Sequence, residues 1–272
     1  MNWLLQPLTY EFMQRGLLAS VIVGILCAIM GTYVVLRGMA FLGDAMAHAI
    51  LPGVAIAYLL HGNLLVGALV ASIIIALSIG YFSRQGAIKE DTAIGILFAA
   101  ALALGVALIS TIQTYAVDLS HILFGNVLGV SPFDLGLTAG LGLLILLTVV
   151  LLYKPFLIIS FDPILAATLR LPAELLRNLM LVLLALTVVV SLQTVGVGLA
   201  AAMLVTPAAT AYLLTRRLAP MMIVSAVLGA LSSVVGLYIS YYFNIVSGSA
   251  IVLTTTTFFL LAFLWKRLQS SS

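Results

Sequence analysis

Charged residues, cysteine and polar stretches are all scarce in this chain. Only 7% of its 272 residues are charged, 64% are hydrophobic, and the mean hydropathy is +1.31. A soluble domain usually has about 25% charged residues, so the composition indicates a polytopic membrane protein instead. The single cysteine, Cys27, excludes an internal disulfide. Because no long polar segment separates two hydrophobic blocks, we predict one transmembrane domain over residues 1–272.

Motifs for ATP binding and for common hydrolases are also absent. The chain has no GxxxxGK[ST] loop, so it cannot by itself be the motor of an ATP-driven pump. It has no HExxH, GxSxG or CxxC element, which removes the readable routes to a protease, a hydrolase or a thiol redox enzyme. We therefore expect a transport protein rather than an enzyme. The N-terminal segment lacks the features of a signal peptide, so we expect the first membrane helix to direct insertion.

Runs of about 20 apolar residues, long enough to cross a bilayer, recur along the chain. We predict about nine transmembrane helices. They lie near residues 16–36, 40–60, 64–83, 92–112, 134–153, 175–193, 198–214, 219–242 and 249–265. With the N-terminus outside, only Arg15 of the 11 Lys and Arg residues falls on the outer side. The positive-inside rule therefore predicts an external N-terminus and a cytoplasmic C-terminus.

Two ionisable residues interrupt the second predicted span, MAFLGDAMAHAILPGVAIAYLL. They are Asp44 and His48. A carboxylate at the centre of a membrane helix costs about 2.5–3.5 kcal/mol, and such residues usually serve a function. Because residues four apart share one helix face, both side chains can reach one ligand. A carboxylate and an imidazole suit a divalent first-row metal, so we predict a metal site; the residues alone are also compatible with a proton relay or a structural pair.

The segment between the fifth and sixth predicted spans, about 154–174, is too long for a turn and unusually apolar. Asp162 followed by Pro163 is typical of a helix start, because aspartate caps the helix and proline fits its first position. We predict a short helix over 163–170 that ends before Pro172. An apolar helix on the cytoplasmic side is compatible with a protein partner or with the lipid surface.

Two further segments carry polar residues. On the outer side, Asp118 and His121 are three residues apart and are candidates for a second metal site, although an Asp-Leu-Ser sequence more often caps a helix. Between the sixth and seventh spans, the residues from Gln193 to Gly198 leave almost no loop. This pattern is compatible with a lining of the transport path and with tight helix packing.

Four segments of the chain resemble the membrane permeases of bacterial ABC-type manganese, zinc and iron uptake systems. They are LRGMAFLGDAMAHAILPGVAIAYLL, DLSHILFGNVLGVS, FDPILAATLRLP and VGVGLAAAMLVTPAATAYLLTRR. The segments occur in the expected order, and the resemblance covers essentially the whole chain. It implies an all-α permease of type II ABC importer architecture that works as a homodimer in the cell membrane. It also implies ATP-binding cassette subunits on the cytoplasmic face and an extracytoplasmic metal-binding protein as partners, with no nucleic acid.

The resemblance also implies roles for particular residues. It favours Asp44 and His48 as intramembrane metal ligands and identifies the segment around Asp162 as a coupling helix that contacts the ATPase. The residues of that segment that match the family are Phe161, Asp162, Pro163 and Arg170. In a dimer, two carboxylates and two imidazoles could meet at the two-fold axis and neutralise a divalent ion.

The identity of the cargo follows less directly from the sequence. Oxygen and nitrogen ligands without a thiolate suit Mn²⁺, Fe²⁺ or Zn²⁺. The variant GDAMAHAILPG is more similar to manganese-type members, so we favour Mn²⁺ as the transported ion and expect no permanently bound cofactor. Alternatives are a zinc, iron or iron-chelate importer of the same family, or a proton-coupled secondary transporter.

Overall fold

A computed structural model describes residues 6–84, 90–111 and 127–270, and this part of the chain is helical without β-strands. Its α-helices are α1 (Glu11–Leu36), α2 (Leu42–Ala49), α3 (Leu51–Leu59), α4 (Leu64–Arg84), α5 (Glu90–Ser110), α6 (Pro132–Leu151), α7 (Tyr153–Phe161), α8 (Pro163–Thr168), α9 (Ala173–Val195), α10 (Val197–Leu214), α11 (Leu218–Phe243) and α12 (Ser247–Ser270). Short 3₁₀ turns cover Pro7–Thr9 and Val127–Gly129.

Membrane-spanning helices dominate the fold, as the sequence predicts. Within the described ranges, 8 stretches are long and apolar enough to cross a bilayer, and α2 together with α3 forms one of them. The ninth predicted span, 198–214, corresponds to α10. Its apolar part, Leu199–Leu214, is shorter, with a length of about 24 Å. The all-α, polytopic architecture is therefore confirmed, and the count of nine includes this short helix.

The second predicted span is divided into two helices. α2 ends at Ala49, and α3 begins at Leu51 with Pro52 in its first turn. Proline has no N–H to donate and its ring clashes with the preceding turn, which accounts for the break. Asp44 and His48 both lie before the break, so their spacing of about one helical turn is preserved.

Three segments form the interior of the bundle. The spans of α1, α2 with α3, and α9 are each 67% buried. α1 crosses α10 at Gly31, where an added Cβ would collide with the backbone carbonyl of Leu204. α3 crosses α4 where Gly53 and Gly67 approach each other's backbone. Small residues at such crossings allow close helix packing, which is how transmembrane helices associate.

The junction between the sixth and seventh spans consists of Gly196 alone. α9 ends at Val195 and α10 begins at Val197. Gly196 has φ +85° and ψ 168°, a conformation that residues with a Cβ rarely adopt. The prediction that this segment has almost no loop is confirmed.

Candidate metal site

α2 places Asp44 and His48 directly after the turn that follows α1. Gly38 in this turn has φ +70°, which glycine adopts without steric cost. The N–H of Met39 donates to the carbonyl of Val34 at 3.0 Å and closes the turn. The buried residues on the other face of α2 include Leu42, Ala45, Met46 and Ala49. The apolar face of this short helix therefore anchors it in the bundle and leaves the polar face free.

The hydrogen bonding of the pair favours one imidazole nitrogen of His48 as the candidate ligand atom. Nδ1 of His48 lies 3.7 Å from Oδ1 of Asp44. It lies 3.0 Å from the backbone carbonyl oxygen of Asp44. A carbonyl oxygen only accepts, so Nδ1–H is the donor in this hydrogen bond and Nε2 of the neutral ring keeps its lone pair. Metal-binding histidines are usually oriented in this way, by a hydrogen bond through their second nitrogen.

Both side chains are accessible on the surface of a single protomer. The exposed fraction is 32% for the side chain of His48 and 45% for that of Asp44. Polar groups at membrane depth normally face a water-filled path or another protein chain. In the described part of the chain, no three His, Cys, Asp or Glu residues lie close enough to share a metal ion. One copy of the chain therefore presents two candidate ligands, Asp44 and His48, at this surface.

One phenylalanine, Phe98, contacts the imidazole of His48, and a second, Phe41, contacts the ring of Phe98. The ring of Phe98, on α5, approaches the imidazole of His48 edge to face, with centroids 5.9 Å apart and planes at 81°. Phe41 contacts Phe98 in the same manner, at 5.5 Å and 89°. Sequence reasoning missed Phe98, because an aromatic residue in an apolar span carries no signal that distinguishes it from ordinary packing.

The second candidate metal pair cannot be compared with the structure. Asp118 and His121 lie outside the described residues. Their role as metal ligands or as part of a helix cap stays a prediction.

The short helix predicted over 163–170 is present as α8. Oδ1 of Asp162 accepts a hydrogen bond from the N–H of Leu165 at 2.9 Å, and Pro163 occupies the first turn. The predicted cap is therefore confirmed. The helix ends at Thr168, two residues earlier than predicted, because Arg170 adopts a left-handed conformation with φ +53°. The sequence predicts only one short helix in the segment 154–174, whereas the structure has a second one, α7, before it.

One face of the α7–α8 segment is exposed and apolar. The exposed side chains are Phe161 at 56%, Ile164 at 80%, Leu165 at 41% and Leu169 at 52%. Ala166, on the other side of α8, is fully buried. Exposed apolar groups at the end of a membrane protein are typical of a docking surface or a lipid-facing surface.

A polar cluster lies behind α8. A cavity of about 210 Å³ is lined by Arg37, Ile159, Ala166, Ala173, Glu174 and Arg177. Nη2 of Arg37 lies 3.5 Å from Oε2 of Glu90, at the start of α5. Burial lowers the pKa of Arg37, the carboxylate of Glu90 opposes this shift, and Arg177 adds to it. This cluster joins the ends of α1, α5 and α9 behind the exposed α8.

An apolar groove is distinct from the candidate metal pair. A groove of about 690 Å³ lies between α3, α4 and α5, and its lining contains no Asp, Glu, His or Cys. Asn63 is the polar side chain in this lining, so the groove lacks the carboxylate and imidazole groups of the candidate metal pair.

Comparison with known proteins places the chain in a family. Residues 9–266 match the model described as the ABC 3 transport family. The chain belongs to this family. This membership and the similarity to metal transport proteins confirm the resemblance found in the sequence.

The relatives are similar over nearly their full length. The manganese transport system membrane protein MntC of Halalkalibacterium halodurans is 48% identical over 97% of this chain and 90% of that protein. A probable iron transport system membrane protein of Haemophilus influenzae is 41% identical over 98% of each. The structure of PsaBC from Streptococcus pneumoniae in complex with Fab contains a chain that is 44% identical. The structural match between the two covers 95% of this chain and 92% of that chain, with a TM-score of 0.83.

Proposed function

We propose that this chain is the membrane permease of an ATP-driven importer of Mn²⁺, with Asp44 and His48 as metal ligands in the transport pathway. The observation that carries the proposal is the pair itself. A carboxylate and an oriented imidazole share one face of α2, and both are exposed on the protomer surface. A charged group in an apolar bundle is expensive unless a ligand or a partner compensates it.

The incomplete ligand set favours a dimer as the working unit. Two ligands cannot hold and neutralise a divalent ion well, whereas a two-fold axis beside α2 would add the same two from a second copy. The two carboxylates would then balance the charge of the metal ion in a low-dielectric interior. The two Nε2 atoms would complete a set of oxygen and nitrogen ligands.

The energy source would be a separate subunit, because the chain has no phosphate-binding loop. The exposed apolar face of α7 and α8 supports docking of an ATP-binding subunit at this position. Ala166 of α8 lines the same cavity as Arg37 and Arg177, so movement of α8 would change the packing at the ends of α1 and α9. Such movement could change the distances between the four ligands and release the metal ion to the cytoplasm. An extracytoplasmic metal-binding protein would deliver the ion to the opposite face.

The choice of Mn²⁺ rests on the relatives and on ligand chemistry together. The bacterial relative that is 48% identical is named as a manganese transport protein, and the ligand set lacks a thiolate. The same oxygen and nitrogen atoms also suit Fe²⁺, and a relative that is 41% identical is named for iron transport. Uptake of Mn²⁺ in competition with Fe²⁺ and Zn²⁺, in cells that lack other importers, decides between these ions.

The ligand assignment is tested with Asp44→Asn and His48→Ala in the permease assembled with its ATPase. Loss of a group that merely orients a metal ligand costs about 10–100-fold, so loss of a ligand should reduce Mn²⁺ uptake by about 100-fold or more. ATP hydrolysis and assembly should persist in both variants. His61→Asn is a matched control, because His61 is exposed at the end of α3 with φ +51°, which asparagine tolerates.

Two results contradict the proposal in different ways. Undiminished uptake by both Asp44→Asn and His48→Ala means that the pair does not bind the transported metal. Uptake that persists without the ATPase subunit means that the chain is a secondary transporter, for which a proton gradient is the expected driving force.

A further inference from the structure

Phe98, on α5, contacts one of the two candidate metal ligands, the imidazole of His48. Its ring stands edge to face against the imidazole of His48, at 5.9 Å and 81°. Phe41 also contacts the ring of Phe98 edge to face, at 5.5 Å and 89°. Edge-to-face aromatic pairs are favourable beyond the area they bury, and they constrain the relative orientation of the rings.

The imidazole needs such a second contact to be held in one orientation. The hydrogen bond from Nδ1–H to the carbonyl of Asp44 fixes the tautomer. One hydrogen bond still allows the plane of the ring to tilt. The side chain of His48 is 32% exposed, so the protomer does not enclose it by packing alone. The contact with Phe98 restricts the plane of the ring, and this plane sets the direction of the Nε2 lone pair.

α5 is itself anchored on both sides of Phe98. Toward its C-terminal end, Gly105 packs so closely on α3 that an added Cβ would lie 2.7 Å from Cβ of Leu51. At its first residue, Glu90 pairs with Arg37, which precedes α2. Phe98 therefore belongs to a helix that contacts its neighbours both before and after this residue along the chain.

From these contacts we infer that Phe98 is a positioning residue for metal binding, which directs Nε2 of His48 toward the shared ion. The inference rests on the proposed metal site. In the proposed dimer, each copy of α5 would orient the imidazole of its own α2. A displacement of α5 would then redirect the ligand, and this would couple the position of the helix to the affinity for the metal ion.

The competing explanation is ordinary packing between α2 and α5. Packing requires only apolar volume at this position, so Phe98→Leu or Phe98→Met should satisfy it. Orientation of the imidazole requires an aromatic ring, so Phe98→Tyr should preserve metal binding where leucine and methionine do not. The two roles therefore make opposite predictions for substitutions that retain apolar volume.

The experiment measures Mn²⁺ binding to the permease–ATPase complex in lipid nanodiscs, by equilibrium dialysis and pulsed EPR. Phe98→Leu should raise the dissociation constant for Mn²⁺ about tenfold, within the range for lost orienting partners. The hyperfine coupling of the imidazole nitrogen to bound Mn²⁺ should weaken in the same variant. Phe98→Tyr should restore both the affinity and the coupling.

A matched control is available in α12. Phe259 is also partly buried and its ring stacks on Phe263 at 6.4 Å. Phe259→Leu removes the same atoms and a ring contact without touching the metal pair, so it should bind Mn²⁺ as the parent does. Phe98→Met provides a second test if Phe98→Leu does not assemble.

The outcomes separate this inference from the proposed function. If His48→Ala binds Mn²⁺ as tightly as the parent, the metal assignment is wrong, and the positioning role of Phe98 is refuted as well. If His48→Ala loses binding but Phe98→Leu and Phe98→Met match Phe259→Leu, the metal site stands and only the positioning role is refuted. A Phe98→Tyr variant that binds as weakly as Phe98→Leu also refutes it.

Discussion

The ion pair between Arg37 and Glu90 should contribute far more to stability than the pair between Arg15 and Glu11. In the first pair, Nη2 of Arg37 lies 3.5 Å from Oε2 of Glu90. The side chain of Arg37 is only 14% exposed and that of Glu90 only 22%. The direct attraction within this pair is about 5 kcal/mol at an effective dielectric of about 20, before the cost of desolvation is subtracted. Removing one partner of a fully buried pair costs about 3–5 kcal/mol. Because this pair keeps some exposure, we expect Glu90→Gln to lower the free energy of unfolding by about 2 kcal/mol.

The control substitution is Glu11→Gln. Arg15 and Glu11 are 2.9 Å apart, but their side chains are 35% and 81% exposed. Water screens such a pair, so its loss should cost only about 0.5 kcal/mol. The assay is reversible unfolding of the purified permease in mixed detergent micelles, followed by circular dichroism.

A double variant tests the physical reason. If the cost of Glu90→Gln arises from the uncompensated guanidinium of Arg37, then adding Arg37→Met should recover at least half of the lost stability, because that unpaired charge is removed. Equal costs for Glu90→Gln and Glu11→Gln would refute the reasoning. A double variant that is less stable than Glu90→Gln alone would also refute it.

Two further predictions concern helix packing and helix capping. Gly31→Ala should destabilise the permease by at least about 2 kcal/mol in the same unfolding assay, because its Cβ would collide with the carbonyl of Leu204. Gly136→Ala is the control, since no atom lies within 4 Å of the added Cβ, and equal stability of the two variants would contradict the crossing at Gly31. Asp162→Ala should destabilise α8 by about 1 kcal/mol, seen as faster hydrogen exchange of the amides after Pro163, whereas Asp162→Asn should retain the cap. Unchanged exchange in Asp162→Ala would show that the hydrogen bond to Leu165 does not hold the helix.

Local features could be predicted because they depend on neighbours in the chain. The cap at Asp162 follows from an aspartate before Pro163, and the structure contains the expected hydrogen bond. The common face of Asp44 and His48 follows from a spacing of four residues in a helix. The predicted end of α8 was wrong by two residues, because the left-handed conformation of Arg170 has no signal in an arginine.

The sequence by itself determined the membrane character, the approximate spans and the shared helix face of Asp44 and His48, because composition and local spacing are sufficient for each. Only the tertiary structure decided which distant residues meet that pair. Phe98 reaches His48 because α5 packs beside α2, and Glu90 reaches Arg37 at the start of the same helix. Apolar spans resemble one another in sequence, so the sequence does not show which helices pack together. That choice depends on close crossings such as the one at Gly105, where backbone shape and side-chain volume must fit in three dimensions.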